Sequence, residues 1–285
     1  MSTAQQKWHE DSVLAFDLET SGINPRVDRI VTAAIVHATP GQRPTNITWL
    51  INPGIDIPDE AAQVHGWTND RLEQRLGGAQ AMRISNKGTA PLPREAALFE
   101  IAAQCGMAMQ NEFALIVHNA TYDLTMLETE LGRHDVPTLS SRPNGIRGVV
   151  DPFVIEKAFD PWRKVKGGCR GGKVKCGGCG STDKTLTSLC AHYGVVHTGA
   201  HDAAGDALAT IRLASKLMVA WPATARLKLQ TLHSHQIGWR REQADSLRAY
   251  FDKAGIEHDG VDPGWPIHTG LAADLAAGTG TGAVA

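Results

Sequence analysis

The chain has 285 residues, 42% of them hydrophobic, which suits one large domain with a substantial core, alone or with an extension. Lys and Arg number 28 against 30 Asp and Glu, a net charge of −2, which excludes a protein that coats nucleic acid through bulk positive charge. No run of about 18 apolar residues is present, so no membrane span is expected. The N-terminal MSTAQQKWHE lacks an apolar signal core, and the odd count of five cysteines favours a reducing, cytoplasmic setting over a disulfide framework.

Residues 13–20, VLAFDLET, read as a strand in which four apolar residues run into two carboxylates. Strand side chains alternate, so Asp17 and Glu19 share a face while Leu18 points away. Two like charges side by side on a rigid strand repel, unless a hard divalent cation lies between them; Mg²⁺ is typically held by one or two carboxylates plus substrate phosphates. Thr20 to Pro25 reads as a turn, Arg29 to Ala38 and Asn46 to Ile51 as two further strands, and together the three form an antiparallel meander. A short helix begins at Pro58 and leads to Val64-His65-Gly66-Trp67-Thr68. Gly77 to Pro93 reads as a loop, and Arg94 to Gln110 as a helix by its 3.6-residue period.

Ala114 to Val117 reads as a short buried strand, followed by a helix whose inner face is Leu124, Leu127 and Leu131, with Asn119 or Thr121 as its cap and Asp123 in its first turn. Val149-Val150 ends another strand before a helix from Phe153 to Ala158. Residues 163–184 break all periodicity with seven glycines, seven basic residues, three cysteines and one acid. The spacing Cys169-x6-Cys176-x2-Cys179 contains a CxxC knuckle of the kind zinc sites use, with Cys190, His192 or His197 as candidates for the fourth ligand; the other reading is a glycine loop with free thiols. Helices resume at Thr185 to Tyr193 and again after His201, where Leu208, Ile211, Ala214 and Met218 make a core stripe. The first domain ends near residue 221. Residues 222–269 read as a helical extension with Leu229, Leu232, Trp239, Leu247, Tyr250 and Phe251 on one face and Arg240, Arg241, Arg248 and Lys253 on the other. Residues 270–285, nearly all small, read as a disordered tail.

Three acidic patches fit together: Asp17 with Glu19 at a strand end, Asp123 where a strand meets a helix, and Asp206 opening a helix. His201 lies five residues before Asp206, about 140° away on a helix, so it belongs on the entering loop, where a base can reach over the site. FDLETSG, HNATYD and HDAAGD resemble, in order and spacing, the three exonuclease motifs of the DEDDh branch of the DnaQ-like 3′–5′ exonucleases, a family that includes the proofreading epsilon subunit of bacterial DNA polymerase III. The resemblance spans roughly residues 10 to 220. The stretch around His65 is similar to the family's VHGIT-type motif, and GWRREQADSLRAY is similar to stand-alone actinobacterial or phage exonucleases.

The resemblance implies an α/β fold of the ribonuclease H-like type, with a mixed five-stranded sheet flanked by helices. It implies hydrolysis of single-stranded 3′ ends to nucleoside 5′-monophosphates, on DNA or alternatively as RNA trimming, with two Mg²⁺ or Mn²⁺ ions about 4 Å apart. By the resemblance, Asp17 would bridge both ions, Glu19 and Asp206 would complete the first ion's shell, Asp123 would hold the second ion, and His201 would take the proton from the attacking water. Leu18 and Thr20 reach the terminal nucleotide through backbone groups and His65 contacts it. Asn119 either bonds substrate or caps its helix, and Tyr122 either stacks on a terminal base or buries its ring. The resemblance also brings a DNA polymerase as a partner, which the extension's basic face either docks or leaves aside to cover the sheet. The remaining rival is a non-catalytic nucleic-acid-binding module, against which all five catalytic positions are filled.

Overall fold

The computed structural model describes residues 7–163, 183–258 and 260–271. The elements, in order, are β1 (Val13–Thr20), β2 (Ile30–Ala38), β3 (Thr45–Ile51), α1 (Asp59–His65), α2 (Asn69–Leu76), β4 (Ala81–Ser85), β5 (Gly88–Leu92), α3 (Arg94–Gln110), β6 (Ala114–Ile116), α4 (Ala120–Arg133), β7 (Val149–Val150), α5 (Pro152–Phe159), α6 (Leu186–Tyr193), α7 (Ala203–Ala220), α8 (Pro222–Ala225) and α9 (Leu229–Ala254). The strands form one mixed sheet in the order β5-β4-β3-β2-β1-β6-β7. β1 to β5 pair antiparallel, whereas β6 runs parallel to β1 and β7 parallel to β6.

The expected α/β sheet with an antiparallel start is present, with seven strands instead of five. The extra pair is the β4–β5 hairpin, lying in the stretch 77–93 that reads as a loop. Its strands carry Gly88, Pro91 and mostly half-exposed side chains, so no alternating apolar pattern marks them; Ser85 pairs with Gly88 across a two-residue turn, and β3 supplies the ladder. Helix α2 also escapes the periodic reading. Thr68 caps it by accepting from the Arg71 N–H, and Gly77 ends it in the left-handed conformation.

The period of two along β1 sorts the core. Leu14, Phe16 and Leu18 pack with α3 and α4 on one face, and Val13 and Ala15 pack with α6, α7 and the start of α9 on the other. Asp17 and Glu19 continue that second face beyond its apolar part, toward the N-terminal end of α7. A smaller cluster of Val31, Leu50, Ile57, Leu72 and Leu76 holds α2 to the sheet.

Described residues after 221 pack onto the sheet edge. In α9, Gln236 does for β7 what another strand would: its Nε2 donates to the Val149 carbonyl at 2.9 Å and its Oε1 accepts from the Asp151 N–H at 2.7 Å. Trp265, beyond the helix, is buried in the main core. The apolar face expected along α9 is buried unevenly: Leu229 and Leu232 are buried, Trp239, Leu247 and Phe251 half-buried, and Tyr250 is 59% exposed. Its basic face is partly engaged as well, since Arg240 and Arg248 donate to the carbonyls of Asp262 and Val261.

Asp151 is the junction of these parts. Its carboxylate accepts from the Asn119 and Ala120 N–H groups at the start of α4, both at 2.9 Å, from Phe153 and Val154 at the start of α5, and from Trp265 Nε1 at 3.2 Å. One buried anion therefore satisfies two helix N-termini and complements both dipoles. The expected cap by the Asn119 or Thr121 side chain is absent; Asn119 sits at φ 63° and makes no side-chain cap. Asp151→Ala is expected to destabilise the protein by about 3 kcal/mol in urea unfolding, because it strands buried donors at both ends. An unchanged urea midpoint would show that water replaces the carboxylate.

Candidate active site

Where β6 stops at Ile116, β1 runs on beyond its paired residues, with no further strand on that side among the described residues. The exposed ladder N–H of Leu18 is taken instead by Asp123 Oδ1 from α4, at 3.1 Å. This bond fixes Asp123 against the back of the strand that carries Asp17 and Glu19. The β1–β2 register shifts between Glu19 and Thr20, a bulge of the kind that re-aims side chains at strand ends.

From the other side comes the N-terminal turn of α7. Asp202 caps it by accepting from the Gly205 N–H. A Cβ on Gly205 would stand 2.8 Å from the Thr198 carbonyl oxygen and 2.9 Å from that of Gly199, so only glycine lets the entering loop close against the helix. That closure places Asp206 one turn inside the helix, facing β1. Carboxylate oxygens of Asp17, Glu19 and Asp206 all lie within 4.8 Å of one another. His201 is on the loop ahead of α7, at φ 66°, and its backbone N–H donates to Asp206 Oδ2 at 3.3 Å.

These residues line one cleft of about 440 Å³, together with Leu18, Asn119, Tyr122, Asp123, His118, Phe153 and residues 183–186. The structure thus brings Asp17, Glu19, Asp123, His201 and Asp206 to one cleft, which Leu18, Asn119 and Tyr122 also line. Thr20 and His65 stand behind that lining. The Thr20 hydroxyl donates to the Gly22 carbonyl at 2.7 Å and also meets the Tyr122 hydroxyl. His65 is buried, its Nδ1 accepting from the Trp67 N–H at 3.1 Å. Tyr122 donates to the Gly22 carbonyl at 2.9 Å, so one edge of its ring is tied to the turn after β1 while the ring still borders the cleft.

The electrostatics fit a cation site. Burial, then repulsion from Asp123, Asp206 and Glu19, pushes the Asp17 carboxyl well above the usual range. Burial and the neighbouring Asp206 and Asp202 push Glu19 up to about 8. Asp123 is also raised, again chiefly by burial. A cluster that resists ionisation by itself is one that a divalent ion would complete, and an all-oxygen donor set suits Mg²⁺ or Mn²⁺.

One lining residue, His118, takes no site role from the sequence. His118 opens the HNATYD motif, and burial lowers its pKa to about 4, with its Nε2 donating to the Lys184 carbonyl at 3.2 Å. Lys184 and Arg163, both buried, pair with the fully buried Glu156 of α5. Only the fold shows that these two cations, which flank residues 164–182, share one anion. Cys169, Cys176 and Cys179 lie outside the described residues. Of the candidates for a fourth zinc ligand, Cys190 is a core thiol pushed up to about 11 by burial, His192 packs edge-on against Tyr193, and His197 is bound to Asp206.

Among known proteins, no family model matches the chain. DNA polymerase III subunit epsilon of Rickettsia conorii is 26% identical over 156 residues, 53% of this chain and 56% of that protein. DNA polymerase III PolC-type of Streptococcus pneumoniae is 24% identical over 204 residues, 72% of this chain and 11% of that protein. Among solved structures, E. coli Exonuclease I in complex with a dT13 oligonucleotide superposes with a TM-score of 0.55 at 17% identity, over 75% of this chain and 42% of that one. Exonuclease I from Methylocaldum szegediense gives 0.53 at 19% identity, over 84% and 46%. The chain spans little more than half, or less, of each of these proteins. FDLETSG, HNATYD and HDAAGD fall on or beside β1, α4 and α7 around one acidic cleft, and the chain is similar in fold to Exonuclease I and, over part of its sequence, to these polymerase III proteins.

Proposed function

We propose that this chain removes nucleotides from the 3′ ends of single-stranded DNA by hydrolysis, releasing nucleoside 5′-monophosphates. The observation that carries the reading is the meeting of Asp17, Glu19 and Asp206 oxygens within 4.8 Å, with Asp123 bonded to the same strand. The relatives point the same way: the Exonuclease I structure holds a dT13 oligonucleotide, and the epsilon and PolC-type proteins are named as parts of DNA polymerase III. A role in replication or repair, and a polymerase as partner, belong to this proposal.

Asp17, Glu19 and Asp206 would hold one divalent cation, and Asp17 with Asp123 a second. Bound there, the pair supplies positive charge to both the attacking and the leaving oxygen of an in-line displacement. The chain's own residues do the rest. β1 and α7 set the carboxylates rigidly before substrate arrives, so little reorganisation accompanies reaction. His201, exposed on its loop at the cleft mouth, takes the proton from the attacking water. Leu18, Asn119 and Tyr122 border the space for the terminal nucleotide, and His65 supports Thr20 from behind. Residues 222–269 form a helical extension to the nuclease domain of residues 1–221 and close its sheet edge.

The test is a panel of matched oligomers, labelled at either end: single-stranded DNA, duplex DNA, a mismatched primer and RNA, with Mn²⁺ and then with EDTA. Stepwise loss of the 3′ label from single-stranded DNA, stopped by EDTA, is expected. Attack from the 5′ end, or RNA consumed in preference to DNA, would overturn the direction or the substrate, and inert oligomers in every lane would favour a binding module.

A further inference from the structure

The Asp206 carboxylate has a second partner that none of the motifs contains. Its Oδ1 lies 2.5 Å from Nε2 of His197, on the loop joining α6 to α7. The His197 side chain is only 6% exposed, and it is not among the residues that line the cleft. Its other ring nitrogen, Nδ1, is 3.4 Å from the Thr187 hydroxyl on α6. A carboxylate oxygen accepts, so Nε2 is the nitrogen that donates to Asp206, while Nδ1 faces the Thr187 hydroxyl. The ring is therefore held on both sides and approaches Asp206 from outside the cleft, while the His201 backbone holds Oδ2.

We propose that His197 is a positioning residue that fixes the Asp206 carboxylate for cation binding. The inference rests on the reading of the acidic cluster as a cation site. An Asp side chain on the first turn of a helix has two free torsions, and repulsion from Asp17 and Glu19 favours rotamers that swing it away. A buried donor at fixed distance removes that freedom and leaves the carboxylate's remaining lone pairs directed at β1. Hydrogen-bond partners standing behind metal ligands in this way typically change metal affinity by about 10- to 100-fold. The alternative is that the pair merely ties the α6–α7 loop to α7.

Three variants of the full chain separate these: His197→Leu, which keeps the bulk and loses the donor, His197→Gln, whose amide N–H reaches as far as Nε2, and Asp206→Asn. Mn²⁺ binding is followed by electron paramagnetic resonance without substrate, and the Mn²⁺ needed for half-maximal hydrolysis is measured alongside. His197→Leu is expected to weaken Mn²⁺ binding about 10-fold and to raise the half-maximal concentration in step, with most of the maximal rate returning at saturating Mn²⁺. His197→Gln is expected to restore most of the affinity. If His197→Leu does not fold, His197→Asn, too short to reach Asp206, carries the same expectation. Wild-type Mn²⁺ affinity in the Leu variant, or equal loss in Leu and Gln, would overturn the role of His197. Wild-type Mn²⁺ affinity in Asp206→Asn would instead overturn the cation site itself.

Discussion

Asp17→Asn is expected to reduce nucleotide release about 1,000-fold or more while leaving the metal-free protein at least as stable as the wild type. The two halves of this result have one cause. The Asp17 carboxyl is raised first by burial and then by Asp123, Asp206 and Glu19. In the absence of a cation its charge is a burden on the fold, and an isosteric amide removes the charge without opening a cavity. In the presence of a cation the same charge is the ligand, and its loss forfeits several kcal/mol of transition-state stabilisation, which converts to a rate loss of that order. A residue needed only for packing shows the opposite pattern, reduced melting temperature with activity per folded molecule preserved. Melting curves in EDTA and initial rates in Mn²⁺, taken on the same preparation, decide it. Full activity in the variant would remove the cation from the mechanism.

The second expectation concerns pH. Glu19 has a folded-state pKa of about 8 against an ordinary value of 4.5. Between those values the folded chain retains a proton that the unfolded chain has released, so folding stability falls as pH rises. The contribution is fully present below about pH 4.5 and is lost as pH approaches 8; Asp17 and Asp123, both raised, act in the same direction. In EDTA the melting temperature is therefore expected to decline across this window. Mn²⁺ binds the ionised, folded form, so at pH 8 a concentration 100 times the dissociation constant adds about 2.7 kcal/mol, roughly 5–10 °C for a chain of this size. The informative quantity is the gap between the chelated and the Mn²⁺ curves, because histidines elsewhere move both alike. A gap that shrinks as pH rises from 4.5 to 8 would contradict the assignment of these carboxylates.

What the sequence disclosed was whatever a local period could carry. Asp17 and Glu19 declared a common face because a strand alternates, and the same alternation drives Val13 and Ala15 into the core against α7. Asp123 and Asp206 were legible as first-turn acids of two helices, and His201 as a loop residue ahead of the second. The contacts that organise the site are of another kind. Asp151 caps α4 from 31 and 32 residues away, Gln236 stands in for a strand 85 residues from its partner, and Glu156 gathers Arg163 and Lys184 from either side of the basic, glycine-rich stretch. No local pattern distinguishes these polar residues from solvated ones. His197 shows the limit most clearly. Its neighbourhood of cysteines and histidines made it a zinc-ligand candidate, and its contact with Asp206, made by the turn after α6, is one that no local pattern announces. The β4–β5 hairpin was missed for the complementary reason, since an edge pair with half-exposed side chains needs no apolar alternation.

The Asp151 junction has a kinetic corollary. The polypeptide can zip its central meander from near neighbours, but α4, which brings Asp123 to β1, is secured through Asp151 by Gln236 and Trp265, residues made much later. Such distant pairings slow folding, because the loop-closure entropy is lost before the contacts reward it. On a translating ribosome the acidic cleft is thus among the last features to set.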